Sequence, residues 1–528
     1  MSQPVSTLQP IALRTQILPW LAFAVLEVCA LAVFWGFDAL PFMDLPAHAG
    51  VIALRAAYPG SDFLRQYFVL DPHLGGYSAF RFLGDHVAEW IGPMAAIRTL
   101  ASLPVLALPV AVLYARKRLY GDAEPFFACA ALILCFGFMT VLGFASYMIS
   151  LAVLMIAVTE WLVLMAKTDA GKSTISQEVC TAILAALVLV FHGFAVAIFG
   201  FLALVTALST GERYRRIFQL RVFIPAALVA GYSLWIEHMG TLPDGGVSPH
   251  ASLTPVFQGV LDKLSLLATP ALMTRTGIDI LIAVTLWLIV AVAAVRFCRT
   301  SKTLDSLTPK SRHTHALMAA SSSTFLLFLL LPHSIGWFGF VDGRVLPLTI
   351  LTAILTLDTS AARSRFQSIR LAAVEIAATI SVALALFASS QFQNEANGAS
   401  GVLSQVPARS RLLYFPLEPD SSIFTGHPFV HYDKLILIQR PIVPSGLWFH
   451  QGTAIYPTRI NPTLSLPADF KASNLKSIVW PHYNLEDWDY VLIRVAPDSA
   501  PPQYPDSLSL VTHRGGWWLL QIRKPETK

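Results

Sequence analysis

The stretch Phe42-Met43-Asp44-Leu45-Pro46-Ala47-His48 follows the first hydrophobic segment and opens a long polar loop in an otherwise apolar chain. A carboxylate at a bilayer surface is costly to hold unless it serves a purpose. The position of Asp44, directly after a membrane anchor, therefore indicates chemistry on a membrane-borne substrate.

The composition is that of a polytopic membrane protein. Of 528 residues, 55% are hydrophobic and only 13% are charged, and the mean hydropathy is +0.60. Soluble globular domains of ordinary composition do not reach these values. The net charge of +5 is carried mostly by short basic loops between apolar segments, so it indicates membrane orientation and contact with anionic lipid, not nucleic-acid binding.

The apolar segments predict an α-helical polytopic membrane protein with about eleven transmembrane helices, since a spanning helix needs about 20 mainly apolar residues. The predicted spans are 17–37, 93–114, 125–142, 144–166, 177–191, 193–209, 217–237, 279–298, 315–332, 344–358 and 371–389. Only His192-Gly193 separates the fifth from the sixth, and one tilted or re-entrant helix is the alternative. For His192 itself we favour a structural hydrogen bond or a kink.

The basic residues predict the orientation, because Lys and Arg accumulate in cytoplasmic loops. They cluster in alternate loops, which places the N-terminus in the cytoplasm and the C-terminal tail outside. No small-residue cleavage site follows the first apolar segment, so we expect a retained anchor. We expect a multi-pass protein of the bacterial inner membrane, although an endoplasmic-reticulum setting has the same topology.

Two domains are expected. Residues 1–389 form the transmembrane domain, with a long first outer loop at 38–92 that contains two amphipathic helices, Ala47 to Tyr58 and Tyr77 to Ile91. After a Ser/Gly/Asn-rich linker near 394–404, residues 390–528 form an extracytoplasmic α/β domain. Its predicted strands are 411–415, 435–439, 477–480, 490–495, 508–513 and 517–523, the last two joined by a hairpin at Gly515-Gly516.

Several motifs resemble those of the C-type integral-membrane glycosyltransferase superfamily (GT-C), which includes protein O-mannosyltransferases and the enzymes that add aminoarabinose to lipid A. In the membrane half, Asp44 follows the first helix and precedes two amphipathic helices, and the other motifs are Gly92-Pro93-Met94-Ala95-Ala96-Ile97-Arg98 at the start of the second span and Gly343-Arg344-Val345-Leu346-Pro347-Leu348. In the tail, the motifs are Trp488-Asp489-Tyr490-Val491-Leu492-Ile493 and Gly516-Trp517-Trp518-Leu519. The resemblance covers most of the chain.

The resemblance implies a polyprenyl-phosphate sugar donor at the outer face of the membrane. A hydroxyl or amine of a glycan, lipid or protein acceptor would attack its anomeric carbon. Asp44 would be the catalytic base, with His48 one helical turn later as a second catalytic candidate that orients Asp44 or binds phosphate. Arg98 and Arg344 would bind the donor phosphate. The alternative roles are helix capping for Asp44, a metal site or an interfacial polar histidine for His48, and lipid head-group anchoring for Arg98 and Arg344.

His73, Asp85 and Glu89 are further substrate-binding candidates in the first loop, and solvated or capping groups are the alternative for each. The turn Val141 to Tyr147 carries no acid where many family members have a second one, and Asp85 or Glu89 could replace it. No cofactor is predicted with certainty. A divalent metal stays an option, although no HxxxH or HExxH pair occurs among the outer histidines His48, His73, His86, His238, His250 and His333.

Two alternatives to an enzyme remain at this stage. A non-catalytic assembly or scaffold protein could use the same fold to bind a lipid-linked glycan, and the missing second acid favours it. A transporter or flippase should carry polar residues inside several central spans, where this sequence has few apart from Glu160 and His192.

Overall fold

The structure is a computed structural model. It describes residues 9–73, 75–209, 213–239, 245–247, 254–300, 308–336, 338–358, 365–449, 452–467, 470–497, 499–500 and 502–524.

Helices dominate the chain up to residue 403. They are α1 (Gln9–Trp35), α2 (Leu45–Ala57), α3 (Asp62–Tyr67), α4 (Ser78–Ile91), α5 (Pro93–Tyr120), α6 (Pro125–Leu134), α7 (Phe138–Val141), α8 (Ala145–Asp169), α9 (Ile175–Phe191), α10 (Gly193–Ser209), α11 (Arg213–Phe218), α12 (Ile224–Met239), α13 (Val260–Ser265), α14 (Ile278–Thr300), α15 (Pro309–Leu330), α16 (Leu346–Ile354), α17 (Arg365–Ala396) and α18 (Ala399–Leu403).

Ten of the eleven predicted spans each correspond to one helical stretch, and the span 125–142 is the exception. Among the described residues, seven helical stretches are long and apolar enough to cross a membrane. They are Ile17–Trp35, Pro93–Tyr120, Ala145–Asp169, Arg213–Ile236, Ile278–Arg299, Lys310–Leu330 and Leu371–Leu403. Four shorter apolar helices fill the remaining predicted positions: Pro125–Leu134, Ile175–Phe191, Gly193–Ser209 and Gly343–Ile354. The fold is thus that of a polytopic helical membrane protein, as predicted.

Two of the short helices lie in the centre of the bundle. All nine residues of α16 are buried, and so are all residues of α6 after Pro125. At about 1.5 Å per residue neither spans a bilayer alone. A helix can end at membrane depth when protein surrounds its backbone ends. The predicted continuous span 125–142 is wrong for this reason, since the chain turns after Leu134 and the Phe138 amide donates to the Thr269 carbonyl at 2.9 Å.

The first outer loop forms the two predicted amphipathic helices, α2 and α4. Between them, β1 (Phe68–Leu70) pairs antiparallel with β6 (Ile455–Pro457) of the tail. The loop and the tail therefore share backbone hydrogen bonds. Elsewhere, β2 (Pro255–Val256) pairs with β3 (Ser334–Ile335).

The tail contains a five-stranded mixed sheet in the order β5-β4-β7-β9-β8. Its strands are β4 (Arg411–Pro416), β5 (Val443–Pro444), β7 (Tyr490–Arg494), β8 (Leu508–Arg514) and β9 (Trp517–Ile522). β4 is parallel to β5 and β7, whereas β9 is antiparallel to β7 and β8. The predicted C-terminal α/β architecture and its Gly515-Gly516 hairpin are present.

Three predictions for the tail are wrong. Residues 435–439 belong to a 3-10 helix, Tyr432–Ile438, that packs against α2, and 477–480 leads into another, Trp480–His482. The expected linker at 394–404 is largely helical, because α17 continues to Ala396 and α18 follows. Short apolar runs do not distinguish a strand from a buried helical turn.

Candidate active site

A cavity of ≈ 850 Å³ lies where α2, α4, the starts of α8 and α16, and the tail meet. Much of its wall is aromatic. The rings belong to Tyr77, Phe80, Phe138, Phe144, Tyr147, Phe338, Phe340, Trp448, Phe449 and Phe470. Among the predicted site residues, Asp44, His48, Asp85 and Arg344 all line it. Large apolar cavities with a few convergent polar groups are the usual form of small-molecule sites.

Asp44 is the buried acid of this cavity, only 8% exposed. It occupies the N-cap position of α2, yet its side chain makes no capping hydrogen bond. Its Oδ1 is buried without a hydrogen-bond partner among the described residues. Burial raises the pKa of Asp44 to about 8, although the positive charge of Arg344 acts in the opposite direction. A carboxyl held in this way, in a cavity and without a structural bond, has the properties of a reactive group.

The backbone of Asp44 is held by the turn that connects α6 with α8. The amides of Met43 and Asp44 donate to the carbonyls of Val141 (2.9 Å) and Leu142 (3.2 Å). Gly143 follows with φ +79°, and a Cβ there would lie 2.8 Å from the Asp44 nitrogen. The turn that lacks a second acid therefore positions the first one.

Arg344 is the cation of the cavity, 4% exposed. Its guanidinium lies between the rings of Phe144 and Phe338, 4.1 and 4.2 Å from their centroids. Its Nη2 donates to the Gly339 carbonyl at 3.0 Å. Within the described chain, no carboxylate lies within ion-pair distance of Arg344. A guanidinium without an acidic partner is suited to bind a phosphate bidentately.

His192 links two parts of the site. The helix breaks at this residue, with α9 ending before it and α10 beginning after it. Its Nε2 is 3.1 Å from Arg344 Nη1 and 3.0 Å from the Tyr77 hydroxyl. Tyr77 has φ 75°, an unusual conformation for a bulky residue and one that concentrates at functional sites. His192 thus both breaks the helix and makes the structural hydrogen bonds that its sequence position indicates.

The tail supplies His431, which sequence reasoning missed. Its Nε2 lies 3.9 Å from Asp44 Oδ1, and its Nδ1 is buried without a partner among the described residues. Burial lowers the pKa of His431 well below its ordinary range, and the charges of Lys434 and His48 act in the same direction. The imidazole is therefore neutral, and the 3.9 Å contact is not a salt bridge. His48 packs edge-on against Phe80 and Trp448, with centroids 5.1 and 5.3 Å away.

A second polar cluster lines the cavity on α2 and α4. Arg55 Nε is 2.9 Å from Asp85 Oδ2, and Arg81 Nη2 donates to the His73 carbonyl at 3.1 Å. Asp85 is thus already paired with an arginine.

The other three predicted site residues lie outside the cavity lining. Arg98 donates from Nη1 to the Phe34 carbonyl (3.1 Å) and from Nη2 to the Asp38 carbonyl (2.9 Å), so it braces the chain that leaves α1. Glu89 is exposed on α4. His73 is bound through Nδ1 to Asp71 at 2.6 Å.

No group of three His, Cys, Asp or Glu side chains in the described ranges is close enough to hold a metal ion. The residues missed from sequence, His431, Tyr77 and Phe144, were marked by no signal that points to Asp44 or Arg344. Only the meeting of distant segments places them together.

No family model and no curated protein matches the sequence. Solved structures do. ArnT from Cupriavidus metallidurans in the apo state is similar at 11% identity with a TM-score of 0.53, over 94% of this chain and 97% of that one. The same protein bound to undecaprenyl phosphate gives 11% identity and a TM-score of 0.52, over 95% and 97%. The arabinofuranosyltransferase AftD from Mycobacteria gives 15% identity and 0.52, over 96% of this chain and 40% of that one.

The similarity extends over nearly the whole chain and confirms the predicted GT-C-like fold. Identities this low establish the fold and leave the chemistry to the residues of the site.

Proposed function

We propose that this protein is a membrane glycosyltransferase that uses a polyprenyl-phosphate-linked sugar at the outer face of the membrane to glycosylate a lipid, glycan or protein acceptor. The observation that carries the proposal is that Asp44 and Arg344 line the same cavity. Each is almost completely buried, and no described side chain of opposite charge forms an ion pair with either of them. The binding of undecaprenyl phosphate by ArnT, which has the same fold, supports a carrier of this kind.

In the proposed reaction, a hydroxyl or amine of the acceptor attacks the anomeric carbon of the donor sugar. The bond from that carbon to the phosphate oxygen breaks, and the lipid phosphate leaves with the electron pair. The acceptor proton passes to Asp44. A pKa of about 8 suits this role, because a general base works best when its pKa is near the working pH. Arg344 stabilises the negative charge on the departing phosphate.

The remaining groups have subordinate roles in the proposal. The aromatic walls receive the sugar and the first isoprene units of the carrier. His48 lies beside Asp44 and contacts the acceptor side of the cavity. Asp85 binds the acceptor or its charged substituents together with Arg55. Arg98, Glu89 and His73 receive no substrate contact, because they do not line the cavity.

One observation favours the scaffold alternative. Among the described lining residues the carboxylates are Asp44 and Asp85, and Asp85 is paired with Arg55. A site with one available acid binds a lipid-linked glycan as readily as it transfers one. In that case the cavity holds the glycan and the tail presents it to other proteins.

The deciding experiment offers purified protein a panel of polyprenyl-phosphate sugars and a membrane extract as acceptor, and follows labelled sugar. Transfer that depends on one donor supports the enzyme. Saturable donor binding without transfer by any donor and extract supports the scaffold. If the protein neither binds a donor nor transfers its sugar, both the enzyme and the scaffold proposals are contradicted.

A further inference from the structure

The side chain of Asp44 is partly exposed and partly buried. Its side chain is 11% exposed, while Oδ1 is buried and has no hydrogen-bond partner among the described residues. The exposed part of the side chain therefore faces the cavity, and the buried Oδ1 faces the tail. A carboxylate that performs base catalysis through one oxygen needs a group that fixes the other.

His431 occupies the position for that group. Its Nε2 is 3.9 Å from Asp44 Oδ1, which is longer than a hydrogen bond. Hydrogen bonds between catalytic groups are often long in substrate-free sites and tighten when the substrate binds. Its ring is held edge-on against Trp448 with centroids 4.8 Å apart. The other ring nitrogen, Nδ1, is buried and has no hydrogen-bond partner in the part of the chain that the structure describes. A buried unpaired acceptor is tolerated better than a buried unpaired N–H, so the favoured tautomer carries its proton on Nε2, toward Asp44.

We propose that His431 is the positioning residue of the catalytic carboxylate: in the loaded site its Nε2–H donates to Asp44 Oδ1, stabilises the ionised form and aims Oδ2 at the acceptor proton. This inference rests on the proposed function for its kinetic test. It assigns to the tail a direct part in the reaction. The two residues are 387 positions apart in the chain, and the packing of α2 on the Tyr432–Ile438 helix brings them together.

Other charged groups face this pair and are kept constant in the test. Arg344 and Tyr77 interact electrostatically with Asp44. Lys434 and His48 do so with His431. None of them is changed in the variants that follow.

The test compares His431→Ala and His431→Gln with the wild type, using the full-length purified chain. The amide of Gln can replace the Nε2–H donor. A charged hydrogen bond is lost in His431→Ala, so we expect kcat to fall about tenfold or more, with KM for the donor unchanged. The pH at which kcat reaches half its maximum should rise by about one unit, because the carboxylate is no longer stabilised. In His431→Gln, both kcat and the pH midpoint should lie between the values of His431→Ala and the wild type.

The control is His482→Ala, an exposed histidine of the tail, which should leave kcat and the pH midpoint unchanged. If a folded His431→Ala variant has the kcat and the pH midpoint of the wild type, the inference is overturned. If His431→Ala does not fold, His431→Gln and His431→Met decide, since both have similar length and only Gln donates. Equal kcat and equal midpoints for those two would overturn it.

A second readout separates this inference from the proposed function. The infrared C=O stretch of protonated Asp44, assigned by its absence in Asp44→Asn, can be titrated with saturating undecaprenyl phosphate and no acceptor, which loads the site without any sugar transfer. A higher titration midpoint in His431→Ala than in the wild type supports the His431–Asp44 bond even if no sugar is ever transferred. An unchanged midpoint with normal transfer refutes the bond and leaves the glycosyltransferase standing.

Discussion

At the scale of single residues, Asp44 combines the two signatures of a reactive group: it is buried in a cavity, and its side chain makes no hydrogen bond to any described residue. Its pKa of about 8 lies above the ordinary value of 3.8. A raised folded-state pKa contributes stability that is complete below the unfolded-state pKa and is lost as the pH rises through the folded-state pKa. The carboxyl therefore costs the protein stability between about pH 4 and pH 8.

Asp44→Asn should consequently keep or raise the melting temperature at neutral pH. The amide has nearly the same shape and cannot ionise, and one pKa unit corresponds to about 1.4 kcal/mol. Thermal unfolding at several pH values measures this, and the advantage of the variant should grow from pH 5 to pH 8. A lower melting temperature than the wild type across that range would mean that Asp44 is structural.

Transfer should also increase with pH. Asp44 must be ionised to accept a proton, and with a pKa of about 8 most molecules are protonated at pH 7. Between pH 6.5 and 7.5 the rate should rise close to tenfold per unit and level off above pH 8. A rate independent of pH in this range would rule out Asp44 as the base.

Arg344→Lys should weaken donor binding. Lysine keeps the charge but loses the planar fork and the stacking between Phe144 and Phe338. We expect KM for the donor to rise about tenfold or more, the equivalent of about 1.4 kcal/mol. Arg98→Lys is the matched control: it removes bonds to the backbone after α1, so it should lower stability and leave the donor KM unchanged. Equal effects on KM would contradict the phosphate role.

Some residues of the candidate site could be predicted from the sequence and others could not. Asp44 and Arg344 could be found because each follows or begins an apolar helix, where a charge stands out. His431 could not, because it lies among apolar residues of the tail, Phe429, Val430 and Tyr432, far along the chain from Asp44, and it acquires its role only through the packing of the tail on α2. Arg98 has the same appearance in sequence as Arg344, yet its donors are consumed by backbone carbonyls.

At the scale of elements, the turn between α6 and α8 acts as a support for Asp44. Gly143→Ala should shift Asp44, because the added Cβ meets the Asp44 nitrogen at 2.8 Å. We expect most of the transfer activity to be lost. Gly171→Ala is the control, since Gly171 also has a positive φ (+62°) but open space around it. It adds only backbone strain of about 1–2 kcal/mol. Equal activity in the two variants would refute the support role.

Helices and strands were predicted correctly where a regular pattern of apolar residues continues over several residues. The amphipathic helices α2 and α4 and the strands β4, β7, β8 and β9 were all recognised, because their patterns extend over several residues. The 3-10 helix Tyr432–Ile438 was predicted as a strand. Its form is set by α2, where Gly50 has no side chain and a Cβ would lie 2.9 Å from the Lys434 carbonyl. No local pattern encodes that contact.

At the scale of the whole molecule, the membrane half and the tail form one packed body. A single core cluster contains residues from α1 to α17 together with Phe424, Tyr432 and Ile436 of the tail. β1 and β6 pair across the two. The cavity that contains Asp44 and Arg344 is lined by residues of both, so its shape depends on how the membrane half and the tail are positioned relative to each other.

Gly50→Ala should therefore reduce stability and activity together. Overpacking of this kind costs about 1–3 kcal/mol, and it separates the helix that carries Asp44 from the one that begins after His431. Gly60→Ala, where nothing lies within 4 Å, should change neither. Thermal unfolding and transfer assays on both variants measure the difference. An unaffected Gly50→Ala variant would show that the two halves work independently.

The measurement that tests the central claim most directly is donor binding and sugar transfer on the same preparation of Asp44→Asn. If Asp44 is the base of a glycosyltransferase, the variant should bind the polyprenyl-phosphate donor as tightly as the wild type and transfer no measurable sugar. Transfer at the wild-type rate would contradict the account, because the cavity would then perform its chemistry without its buried acid.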